Sequence, residues 1–172
     1  MKKTLLITTA LICSLSLMGA GCDNSNPTEP NNTNTETEST DALNACNLLT
    51  KTIAADYLGT VDEPTLRDTA GVVSTCSYSN PDTFDAITLL VRRSQGDAEA
   101  ATVNANAKAE SKNLSGVDAE DVSGLGDGAY WAGGNLNQLN VFRGEDWLIL
   151  TAFKDDFSKE KAIELMQRIL QN

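Results

Sequence analysis

The sequence predicts an α+β fold: an antiparallel sheet with helices packed against one face, in the order helix–strands–helix–strands–helix. Three observations carry that reading. Ile87, Leu89 and Val91 recur at every second position, as one face of a strand requires. Arg143-Gly144-Glu145-Asp146 separates the apolar runs 138–142 and 147–153 by a tight turn, and strands so closely joined run antiparallel. The segments 97–111 and beyond Ser158 follow a helical repeat.

Each element has a local reason. Thr50 offers a capping hydroxyl to a short helix that turns Ile53, Tyr57 and Leu58 inward, and Gly59 supplies its left-handed stop. Pro64 has no N–H to give a ladder, so it falls in a loop or at a sheet edge. Residues 72–78 alternate as a strand with Ser74, Cys76 and Tyr78 on one face, and Asn80-Pro81-Asp82 marks the turn into 86–93. The helix from 97 to about 111 buries mainly alanine with Val103, so it is expected to pack closely and to contribute modestly per residue. Residues 117–122 suggest a short strand, and Gly124-Leu125-Gly126-Asp127-Gly128 a loop before Ala129-Tyr130-Trp131. In 147–153 both alternating faces are apolar, which fits a central strand covered on both sides. Ser158 caps a last helix with Ala162, Leu165, Met166 and Ile169 as its apolar stripe, and Glu164 and Arg168 stand at i,i+4 spacing. By length, 42–172 is one domain.

The first 21 residues read differently. Lys2 and Lys3 precede an apolar run too short to span a bilayer of roughly 30 Å, the pattern of a removable signal peptide. Leu17-Met18-Gly19-Ala20-Gly21-Cys22 resembles the lipobox of bacterial lipoproteins, with Gly19 where leucine is usual. That resemblance implies cleavage between Gly21 and Cys22 and a diacylglyceryl group on the Cys22 sulfur, with further acylation (palmitate is typical) of the new amino terminus. Two or three acyl chains suffice for stable anchoring, whereas one does not. The other reading is a secreted protein with a stray thiol. Asp23 resembles the inner-membrane retention signal of enterobacterial lipoproteins, which matters only in a cell with two membranes.

Residues 23–41 contain no Leu, Ile, Val or aromatic side chain and carry five acids. Such a segment cannot offset its ordering entropy by burial. It reads as a tether that lifts the domain from the membrane, with a reach of about 25 Å as a flexible coil. The whole chain carries a net charge of −11; the signal segment holds two lysines and no acid, so its removal leaves −13. A surface this acidic repels phosphate backbones, which argues against nucleic-acid binding.

Of four cysteines, Cys13 leaves with the signal peptide and Cys22 takes lipid. Cys46 and Cys76 remain as an even pair in an oxidising compartment, where a disulfide is expected and two buried free thiols are the alternative. Their spacing suits neither a redox CxxC pair nor a cysteine zinc site.

Cys46-Asn47-Leu48-Leu49-Thr50, Cys76-Ser77-Tyr78, Gly124-Leu125-Gly126-Asp127-Gly128-Ala129-Tyr130-Trp131 and Gly144-Glu145-Asp146-Trp147-Leu148 occur in this order. The layout resembles small cell-envelope lipoproteins of unknown function, best represented among actinobacteria. Some of these look similar to the Mog1/PsbP α+β sandwich. The resemblance implies a fold and a disulfide more than an activity.

The chain has no histidine, which excludes Ser-His-Asp and Cys-His nucleophile activation and His-ligated metals. The glycine-rich loop lacks the lysine and following helix of a phosphate loop. Asp118, Glu120, Asp121 and Asp127 miss the spacing of a calcium loop. No catalytic residue, metal or cofactor is therefore expected. Tyr130, Trp131, Phe142, Trp147 and Phe153 concentrate in the second half, either as core for the hairpin or as an exposed aromatic surface. Gly126, Asp127, Tyr130 and Trp131 are the expected binding surface. The function this suggests is a non-enzymatic, membrane-tethered binding or accessory module meeting an envelope protein or a small ligand. A carrier of lipid or small molecules would need an apolar cavity between sheet and helices. A carboxylate hydrolase would need two close carboxyls of shifted acidity.

Overall fold

The computed structural model describes residues 43–172; the expected signal segment, Cys22 and the tether lie outside the described residues. The chain runs α1 (Ala45–Leu48), α2 (Lys51–Leu58), β1 (Thr65–Thr69), β2 (Val73–Ser79), β3 (Ala86–Arg93), α3 (Asp97–Ser115), β4 (Glu120–Val122), β5 (Gly128–Ala132), β6 (Gln138–Arg143), β7 (Asp146–Phe153) and α4 (Lys159–Gln171). The fold is α+β, and the strands form one seven-stranded antiparallel sheet in the order β1-β2-β3-β7-β6-β5-β4. Two meanders, β1 to β3 and β4 to β7, meet along the β3–β7 ladder, whose register runs from Ala86↔Phe153 to Arg93↔Asp146.

One face of the sheet carries the main core. Ile87, Leu89, Val91, Leu139, Val141, Leu148 and Leu150 are buried there beneath α1, α2 and α4. The α4 stripe of Ala162, Leu165, Met166 and Ile169 is buried as its spacing requires. Helix starts follow their caps. Asn44 accepts from the Cys46 N–H at 2.9 Å, Thr50 from the Ile53 N–H at 3.4 Å and Ser158 from the Lys161 N–H at 3.3 Å. Cys46 and Cys76 are joined in a disulfide with a Cα–Cα distance of 5.0 Å, fastening α1 to β2. Next to it the Ala45 N–H donates to the buried Ser74 hydroxyl at 2.9 Å. Asn80 locks the other end: its amide donates to Leu58 O at 2.8 Å, while its Oδ1 accepts from the Asp82 and Thr83 N–H groups.

Four features depart from the sequence reading. β1 is an added edge strand; all five residues of Thr-Leu-Arg-Asp-Thr are exposed, so no alternation marks it. Glu164 pairs with Lys161 at 2.6 Å and Arg168 reaches Asp56 on α2 at 2.5 Å, so tertiary geometry overrides the i,i+4 pairing. β7 is central, but Phe153 at its end is 78% exposed, so the second face is covered only in part. The fourth concerns α3. The helices do not share one face: α3 contacts β5 and β7 on the side opposite α4. The chain must travel from β3 in the sheet's interior to β4 at its far edge, and α1, α2 and α4 occupy the other face. Nor does α3 pack closely. Only Ser111 and Ser115, near its C-terminus, are buried. Its alanines are too short to fill the space above the large sheet side chains beneath.

Candidate functional site

Alternation along β5, β6 and β7 turns Tyr130, Phe142 and Trp147 toward α3. Register then stacks them. Phe142 pairs across the hairpin with Trp147, their rings parallel to within 19° at 5.8 Å, and Tyr130 lies 6.1 Å from Phe142. Asn140 sits between them in sequence and is wholly buried. Its Oδ1 accepts from Trp147 Nε1 at 3.1 Å and from Gln138 Nε2 at 3.4 Å. Its Nδ2 is buried with no partner.

Above this floor α3 forms the wall of an open cleft of about 330 Å³. Val103, Ala107 and Leu114 face Tyr130, Leu136 and Trp147 across it, with Gln138 and Glu110 as polar groups at its margins. Tyr130 is 2% exposed, and its hydroxyl has no hydrogen-bond partner among the described residues. Burial pushes its pKa up to about 12, so the phenol stays neutral at ordinary pH. A second depression of about 220 Å³ opens under the start of α3, bordered by Asp97, Asp127, Glu145 and Asp146 with Phe142. Val103 and Trp147 line both spaces, so the two meet beneath the helix.

The expected binding surface divides. Tyr130 belongs to the cleft. Trp131 does not: one position on, it faces the main core at 7% exposure, its ring 5.8 Å from Phe157. Adjacent strand residues point to opposite faces, so these two aromatics cannot share a surface. Gly126 and Asp127 form a clamp. A Cβ on Gly126 would sit 2.2 Å from Phe142 O, with φ at +55°. The Asp127 N–H donates to Phe142 O at 2.7 Å, and its carboxylate accepts from the Gly144 N–H at 2.6 Å. The loop thus holds the β6–β7 hairpin, while Asp127 also borders the acidic depression.

Trp147 belongs to the aromatic set that the sequence offers as core or surface, whereas Asn140, Leu136 and the alanine face of α3 carry no site expectation. Their signal was the hairpin register, which sets Trp147 opposite Phe142, and an asparagine inside the apolar run Leu139-Asn140-Val141-Phe142. Among the described residues no group of three Cys, Asp or Glu is placed to hold a metal ion, and no helix is long and apolar enough to cross a membrane. Comparison with protein-family models, with curated proteins and with solved structures finds no match in any of the three.

Proposed function

We propose that this chain is a lipid-tethered cell-envelope protein whose domain is a non-enzymatic binding module, with the cleft between α3 and the sheet as its binding site. The tether begins at Cys22, held in the membrane by acyl chains, and Asp23 favours the inner membrane in a cell that has two. The observation that carries the binding reading is an open, largely apolar cleft floored by aromatic rings, into which Tyr130 brings a hydroxyl that no protein group among the described residues engages. A ligand in the cleft would find there apolar surface to cover and one hydroxyl free to hydrogen-bond it. The cleft's size falls within the usual range for small-molecule sites, so a small ligand fits better than a protein partner.

The same open cleft supports a second reading, a carrier that loads and releases its ligand. A hydrolase draws less support. Its general acid needs a carboxyl held above its usual range. Among the described residues the carboxylates whose pKa is displaced, Asp156 and Glu160, are held lower, by the Lys154 hydrogen bond and by a backbone N–H respectively.

Native mass spectrometry of the full chain released from its own envelope tests the site. The expected result is a bound small molecule that is lost when Ala107→Phe fills the cleft. A wild-type chain that carries no added mass and takes up none from an envelope extract would overturn the reading. A ligand that stays with an excess of protein but passes to acceptor vesicles would favour the carrier.

A further inference from the structure

The two spaces under α3 differ in character, and the difference specifies a ligand. The larger is walled by Leu114, Leu136, Tyr130 and Trp147 and has no basic residue at its margin. The smaller is bordered by four carboxylates and again by no base. They join at Trp147, whose stacked partner Phe142 floors the acidic end.

Two neighbouring cations are already engaged, and Arg143, one position from Phe142 on β6, belongs to the alternate face of its strand. Arg92 holds Glu99 at 2.6 Å, and Arg93 forks onto Asp146 at 2.8 and 2.9 Å. Asp97 and Glu145 are exposed and have no ion-pair partner among the described residues. The start of α3 would by itself attract an anion, but Asp97 and Glu99 in its first turn offset that field. The acids are also too dispersed to hold a metal ion. A diffuse negative mouth beside stacked aromatic faces suits an organic cation, which gains from both.

We infer that the cleft takes a small amphipathic cation: an apolar, aromatic or alkyl body lies against Tyr130 and Leu136, and an ammonium head sits by Trp147 at the mouth bordered by Asp97 and Glu145. This rests on the binding reading above and narrows it. The Tyr130 hydroxyl selects among such bodies for one with a polar atom midway. Fatty acids and phosphate esters are disfavoured, because neither space offers a base to pair with them.

The test is an NMR titration of the full chain with phenylbutylamine, phenylbutanol and phenylbutyrate, which share one body and differ in the head. The indole N–H of Trp147 reports on the cleft, and that of Trp131, in the main core, is the internal control. The amine should bind about five-fold more tightly than the alcohol, the carboxylate more weakly than either, and the advantage should shrink in high salt. The double variant Asp97→Asn, Glu145→Gln changes two exposed side chains. It should abolish the amine's advantage and leave the alcohol's affinity unchanged. Equal binding of all three, or an advantage that survives the double variant, would overturn the cationic ligand and leave the cleft as a binding site. Failure of all three to move Trp147 would overturn both.

Discussion

Trp147 donates its indole N–H to Asn140 Oδ1 at 3.1 Å, and that bond fixes which way the buried amide points. Turning the amide over would set two donors against each other. Asn140 Nδ2 is therefore left without an acceptor by a neighbour it cannot do without. Its burial lowers stability, and the cost is incurred directly beneath the cleft.

Replacing Asn140 separates that cost from its role. Asn140→Leu removes the unpaired donor, and half-buried Trp147 can give its N–H to water. This variant should be at least as stable as wild type, with a gain of up to about 1–3 kcal/mol. Asn140→Asp buries a carboxylate and should lose about 3 kcal/mol or more. Urea denaturation of the three proteins checks the order.

Two glycines of the same hairpin region should respond unequally to alanine. Gly126 and Gly144 both have φ near +55°. A Cβ on Gly144 meets open space, whereas one on Gly126 runs into Phe142 O. Gly144→Ala should cost about 1 kcal/mol from backbone strain alone. Gly126→Ala should cost about 3 kcal/mol or more, because the Phe142 strand must move. Thermal melts of the pair measure the gap.

The Cys46–Cys76 disulfide closes a loop across a sequence separation of 30 residues. Converting both cysteines to serine should lower stability by about 3–4 kcal/mol in the chain-entropy treatment. Non-reducing electrophoresis and alkylation with and without reductant establish the bridge. Denaturant midpoints then measure its contribution.

Tyr130 makes stability depend on alkaline pH. Its folded-state pKa is raised from 10.0 to about 12, so above pH 10 the unfolded chain releases a proton that the folded chain still holds. The unfolded state then binds fewer protons, and stability must fall as pH rises through that window. Burial also raises Tyr57 and Tyr78, so the signal is the difference made by Tyr130→Phe. That variant should flatten part of the fall and remove one late-ionising phenol from the ultraviolet titration.

Much of the architecture was legible because it rests on short-range signals. The β6–β7 hairpin, the alternation of β3 and the caps at Thr50 and Ser158 each depend on a few adjacent residues, and each is present. β1 was invisible because an edge strand exposed on both faces leaves no period. The face taken by α3 is not legible locally because it depends on strand order and on where the other helices pack, long-range properties that alternation does not encode. The site suffered the same way. Tyr130 was found, but adjacency in sequence drew Trp131 in with it, whereas its true neighbours, Phe142 and Trp147, come from two other strands.

The crossing from one meander to the other is made once, through α3, and that helix buries little. It is therefore the natural place to divide the chain. Cut within α3, the protein becomes two fragments held by the β3–β7 ladder and the contact of α2 with α4. Each fragment keeps a whole meander, so separately made halves should find each other and reassemble. Because the severed helix is also the wall of the cleft, the rejoined pair would regain its sheet before its pocket.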